Sequence, residues 1–307
     1  MNSQSNVVPD SFDAQKVVPT VMAETRPLYW SVRRELWENR SIYIAPLAAA
    51  GVYLLAWMVA VMRLPHKWRA LSGAEMIRRH TIAEPYDFAA GLLMVTAMIV
   101  GVFYCLDALH GERRDRSILF WKSLPVSDVT TVLAKASIPL AVLPAITITI
   151  TLATQSIVLM MSSMALAASG QSVSAYWEQL SWFQMWAMLV YHLLTVHLLG
   201  HAPFYAWFLL VSAWARRAAF LWAVLPLIAI GFIERIVFNT SYFGRMLESQ
   251  LSGGSEAVPF PGRWPLDPMT HVTPGHFLFS PGLWLGLAVT AAFLFAAVKV
   301  RRNREPI

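Results

Sequence analysis

The sequence predicts an all-α integral membrane protein. It has six transmembrane helices, an N-terminal amphipathic interfacial helix, and both termini in the cytoplasm. Three observations carry this. Hydrophobic residues make up 57% of the 307 positions, charged residues only 14%, and mean hydropathy is +0.51; an average soluble domain is about 25% charged. The charges are also unevenly placed. Residues 136–177 and 179–215 contain no Asp, Glu, Lys or Arg, and uncharged apolar runs of that length are membrane spans. Finally, basic residues flank the runs, so the net charge of +6 reads as topology and not as nucleic-acid binding. A soluble enzyme, a disordered chain and a disulfide-stapled domain are excluded. The single cysteine, Cys105, permits no intrachain disulfide and no cysteine-based zinc cluster.

Residues 1–23 are polar and mixed, a flexible cytoplasmic tail without the layout of a signal peptide. Residues 24–40 follow, with Pro27 suited to a first helical turn. Leu28, Tyr29, Val32 and Leu36 share about a third of the helical circle, flanked by Trp30 and Trp37. Arg33, Arg34, Glu35, Glu38 and Arg40 take most of the rest. Tryptophans and arginines on such a helix suit the lipid headgroup layer.

Spans are expected at about 42–62, 86–107, 137–161, 183–214, 218–238 and 281–298. A polar segment, 63–85, separates the first two. Ser127 and Asp128 read as a helix start, because short polar oxygens satisfy free N–H groups there. Pro139 and Pro144 suggest a kink early in the third span. The uncharged run 179–215 would be about 55 Å long as one helix, so a bend at Gly200–Pro203 is expected, with some projection into water. Glu234–Arg235 interrupts an apolar run and reads as a local pair. Residues 239–280 form an extracytoplasmic Gly/Pro-rich loop, and 301–307 a basic cytoplasmic tail. With six spans, sixteen Lys and Arg residues fall on the side of the termini and eight on the other. That asymmetry places both termini in the cytoplasm.

No H-E-x-x-H, G-x-S-x-G or P-loop motif is present, so no catalytic residue is assigned. His197 and His201 are one helical turn apart, but His192 is off that face. Packing and interhelical hydrogen bonding explain these histidines better than a metal does. An intramembrane enzyme would require His192 or His197 to meet Asp107. The most informative segment is 110–135. Glu112, Arg113, Arg114, Asp115 and Arg116 form a dense mixed-charge turn, followed by apolar Ile118, Leu119, Phe120, Trp121 and Leu124, and by Pro125. A short charged-then-apolar helix exposed to the cytoplasm suits docking into a groove on another protein.

This segment resembles the loop between the second and third spans of ABC-2 type ABC transporter permease subunits. The shared features are Glu112, Ser117–Ile118, Leu124–Pro125–Val126–Ser127 and Lys135. The stretch 33–41 before the first span is similar to the family's interfacial helix, and six spans with an enlarged loop before the last complete the likeness. The sequence departs from the family where Asp115–Arg116–Ser117 stands in place of a common Gly-Thr.

The resemblance implies a permease subunit, an exporter component in a bacterial inner membrane, paired with a second copy or a paralogue. ATP and Mg would bind a separate ATP-binding cassette ATPase subunit, not this chain. Loop 110–128 would couple the two, through Glu112, Arg113, Arg116, Ile118, Leu119, Phe120, Leu124 and Pro125. Trp30, Arg33, Arg34, Glu35 and Trp37 would form the interfacial helix, and Met94, Met98, Phe103 and Tyr104 in the second span would line a substrate path. Membrane lipid is the other expected partner. The alternative is a channel, carrier or scaffold that works without an ATPase.

Overall fold

The computed structural model describes residues 26–70, 75–123, 126–180, 182–252 and 278–303. Among these, all regular structure is helical. Helix α1, Pro27–Glu38, starts at a proline in its first turn. Helix α2, Ser41–Ala60, runs through a 3₁₀ turn (Val61–Arg63) into α3, Leu64–Ala70. Helix α4 spans Glu75–Ala108. The segment 63–85, read as a polar connection, is therefore helical on both sides of 71–74.

Two short helices follow, α5 (His110–Arg114) and α6 (Ile118–Ser123). Helix α7, Asp128–Ser137, begins where the sequence suggests: the Ser127 hydroxyl accepts the Thr130 N–H at 3.0 Å. A π-turn at Ile138–Val142 joins α7 to α8, Leu143–Ala168. Pro139 lies within that turn and Pro144 just after it, and prolines lack the N–H that an unbroken α ladder needs.

The rest of the bundle comprises α9 (Val173–Glu178), α10 (Trp182–His192), α11 (Ala202–Trp214), α12 (Ala219–Ile233), α13 (Tyr242–Ser252) and α14 (Pro281–Asn303). A π-helical stretch, Leu193–Gly200, continues α10, and the axis bends by 43° between Gly200 and Ala202. Part of the enlarged loop is thus helical, in α13; 253–277 lie outside the described residues.

Among the described residues, five helices are long and apolar enough to cross a membrane: Ser41–Ala70, Thr81–Arg114, Asp128–Ala168, Ala219–Phe238 and Pro281–Asn303. The bent pair Met185–Gly200 and Ala202–Trp214 brings the number to six if it crosses as one broken span. The chain is a multi-pass membrane protein on these grounds.

The cores lie at opposite ends of the bundle. At one end Ile42, Val100, Tyr104, Leu109, Val132, Ile138, Leu143, Tyr205, Leu209 and Ala297 pack together, with Val32 and Leu36 of α1 against them. At the other, Tyr53, Ile82, Tyr86, Val158, Leu166 and Tyr176 pack together. Helix α11 forms its most extensive contact with α14, and α4 packs on α2, α8 and α11. Two glycines permit close crossings. A Cβ at Gly101 would meet Tyr205 Cε1 at 2.9 Å, and one at Gly286 would meet Pro203 Cγ at 3.3 Å.

Candidate functional site

The feature that stands out is a buried cluster of charge at the first end of the bundle. Glu35 of α1 is 1% exposed, although its place among the arginines marks it as a polar-face residue. It accepts from Lys135 Nζ at 2.8 Å, Arg34 Nη2 at 2.6 Å and the Tyr104 hydroxyl at 2.8 Å. Burial by itself would raise the Glu35 carboxyl. Lys135 and Arg34, by charge and by hydrogen bond, outweigh burial and hold it below the usual carboxylate range.

Lys135 is 3% exposed and also lies 3.1 Å from Glu112 of α5. Glu112 meets two further cations, Arg34 Nη2 and Arg301 Nη2, each at 3.3 Å. Arg301, in the last turn of α14, also pairs with Asp128 at the start of α7. Three carboxylates and three cations thus pair in the buried part, and exposed Glu38 reaches Arg34 Nε from the rim at 3.6 Å. The three carboxylates and three cations come from α1, α5, α7 and α14, of which only α5 and α7 are near in sequence. Charges are buried only where they are paired and hydrogen-bonded.

The 110–123 loop is built onto this cluster. The Ser212 hydroxyl accepts the N–H groups of Leu109 and His110 at 3.0 and 2.9 Å. Arg113 Nη1 donates to the carbonyls of Ala213 and Ala215 at 2.7 and 3.2 Å, which are among the free acceptors at a helix C-terminus. Arg116 turns the chain from α5 to α6 with φ = +57°, a left-handed conformation that glycine adopts without strain. On α6, Ile118 is buried while Leu119 and Phe120 are 60% and 59% exposed. Trp121 lies under the Arg34 guanidinium, 3.9 Å from its ring centroid. Lys122 Nζ donates to the Arg302 carbonyl at 3.4 Å.

The residues expected to couple to a partner therefore divide. Leu119, Phe120 and Arg116 face outward. Glu112, Arg113 and Ile118 are buried, which corrects the picture of the whole segment as a docking surface: the Glu112 carboxylate is committed to Lys135 and Arg301, the Arg113 guanidinium to the Ala213 and Ala215 carbonyls, and Ile118 to the core. Leu124 and Pro125 lie outside the described residues.

The interfacial-helix residues divide too. Trp30, Arg33 and Trp37 are exposed, with Arg33 stacked 5.2 Å from one indole and 4.7 Å from the other. Arg34 and Glu35 turn inward instead, drawn by Glu112 and Lys135.

The four proposed path residues do not share a surface. Met94 packs with Ala90, Leu189 and Leu193. Met98 is half-buried and Phe103 exposed. Tyr104 belongs to the charge cluster. Residue composition along a span says nothing of which way each side chain points.

His197 and His201 have ring centroids 4.9 Å apart, and the Tyr205 hydroxyl lies 3.4 Å from His197 Nε2. Asp107 lies 3.8 Å from Arg114. Among the described residues no group of three or more His, Cys, Asp or Glu side chains is placed to hold a metal. Glu234 does not pair with Arg235. It accepts from the Thr240 hydroxyl and from the N–H groups of Tyr242 and Phe243, at 2.8, 2.6 and 2.9 Å, and so caps α13.

Sequence reasoning missed Arg301 and the burial of Glu35. One signal was available for Lys135: on α7 it shares a face with Thr131, Val132 and Ala136, at the i−4, i−3 and i+1 spacings of a buried stripe. No protein-family model, curated protein or solved structure matches the chain.

Proposed function

We propose that the chain is the permease subunit of an ABC-2 type transporter, an exporter component that pairs with a second permease copy or paralogue. A separate ATP-binding cassette subunit hydrolyses ATP on the cytoplasmic side, where both termini and loop 110–128 lie. The chain carries no nucleotide-binding motif of its own. Helix α1 lies in the headgroup layer, with Trp30, Arg33 and Trp37 toward lipid.

The observation that carries the reading is the outward pair Leu119–Phe120 on a short helix whose base is pinned to several spans. Two adjacent exposed apolar side chains next to a dense charge cluster are a docking knob for a partner's groove. A load on that knob has a stiff route into the bundle, which is what ATP-driven switching between two states of the spans requires.

The test is to isolate the tagged chain in mild detergent and identify what accompanies it. A stoichiometric ATPase subunit is expected, lost on Leu119→Asp or Phe120→Asp with the fold intact by circular dichroism. A chain that comes alone through several detergents refutes the proposal in favour of a channel, carrier or scaffold. Glu112→Ala is a poor probe, because it also leaves Lys135 and Arg301 short of a buried partner.

A further inference from the structure

We propose that Arg301 is a positioning residue. Through Glu112 it ties the C-terminal end of the last span to loop 110–123, so that a load on α6 reaches α14 and α7 directly and not only through α4. The proposal rests on the coupling function proposed above for its mechanistic meaning.

The geometry points to this tie. Glu112 is the hub of the cluster: one carboxylate faces Lys135 at 3.1 Å, Arg34 at 3.3 Å and Arg301 at 3.3 Å, from three other elements. Arg301 is 3% exposed and spans two carboxylates, Glu112 on α5 and Asp128 on α7. A guanidinium suits this role because its planar fork addresses two acceptors at once, which an ammonium does less well. A second contact runs in parallel, from Lys122 of α6 to the Arg302 carbonyl at 3.4 Å.

The cluster is fully paired only while all six charges stay together. Moving α5 away from α14 would leave Glu112 with only Lys135 and Arg34, and Arg301 with only Asp128, and weakening a buried ion pair without replacing it is costly. The low-energy movement is therefore of the whole unit: α1, the 110–123 loop, the start of α7 and the end of α14. Exposed loops lacking such ties respond locally.

The experiment compares wild type, Arg301→Gln, Arg301→Lys and the Glu112→Gln/Arg301→Gln pair as full chains in lipid nanodiscs. Hydrogen exchange is read across 27–40 and 110–123, and the ATPase rate of the complex is read with the partner subunit bound. Arg301→Gln is expected to speed exchange in both remote segments by about fivefold or more. It should also cut the ATPase rate severalfold without weakening subunit association. Arg301→Lys should recover part of both losses. The double variant, which removes one carboxylate and one cation of the same pair together, should be perturbed less than the sum of the single changes.

Exchange changes confined to the last turn of α14 would overturn the tie. Remote changes in exchange with an unaltered ATPase rate would overturn the positioning role, since a purely structural residue behaves that way. If no ATPase binds wild type, the proposed function is what fails, and the exchange result alone decides whether Arg301 holds the loop.

Discussion

Replacing Lys135 by Met is expected to destabilise the protein more than any single exposed substitution. The side chain keeps an unbranched apolar stem of similar reach but loses the ammonium shared by Glu35 at 2.8 Å and Glu112 at 3.1 Å. At an effective dielectric near 20, each contact is a raw attraction of roughly 5–6 kcal/mol. Most of that is offset by the desolvation of both partners, and breaking one side of a buried pair leaves a net loss of about 3–5 kcal/mol. Glu35 retains Arg34 at 2.6 Å and the Tyr104 hydroxyl at 2.8 Å, so the lower end, about 3 kcal/mol, is expected.

The assay is thermal or denaturant unfolding in detergent, followed across pH. In wild type the Glu35 carboxyl sits below its ordinary value, with Lys135 and Arg34 overcoming the effect of burial. A carboxyl lowered in the folded state contributes stability that is full above its unfolded value and is lost as pH falls through the folded one. Wild type should therefore weaken as pH drops below the usual carboxylate range. The Lys135→Met variant should start weaker and lose less over that window. Equal stability of the two proteins at pH 7, or parallel pH curves, would refute the view that the pair is buried and ionised.

Three further outcomes follow from the geometry. Gly101→Ala should cost about 1–3 kcal/mol by unfolding, because its methyl would meet the buried Tyr205 ring at 2.9 Å and neither helix can withdraw freely. Arg116→Gly should stabilise the protein by up to about 1 kcal/mol, since it relieves a φ of +57° at an exposed turn; a loss of stability would mean that Arg116 makes a contact worth more than the strain. Glu234→Ala should speed hydrogen exchange at Tyr242 and Phe243, whose N–H groups it accepts, and leave exchange in α1 unchanged.

Helix α12 and its continuation to Phe238 show how far composition carries. An apolar run of 15 residues, Ala219–Ile233, continued past Glu234–Arg235 to Phe238, marks a span whether or not anything packs on it, and here only 6% of its apolar window is buried within the chain. The Ser127 cap and the bend beside His201 were legible for the same reason: each depends on the chemistry of neighbouring residues. The direction a side chain takes does not. Trp30 and Glu35 sit on one short helix, yet one faces out and the other is the most buried residue of α1.

The sequence by itself determined the all-helical, membrane-spanning class, the presence of five to six long apolar helices and the short charged-then-apolar loop, because hydrophobic runs, caps and prolines act over a few residues. Only the tertiary structure decided which charges of that loop are buried. Glu35 and Lys135 are 100 positions apart, and Glu112 and Arg301 are 189 apart. Their pairing depends on helix ends meeting at one end of the bundle, where a carboxylate left without a cation would not stay buried.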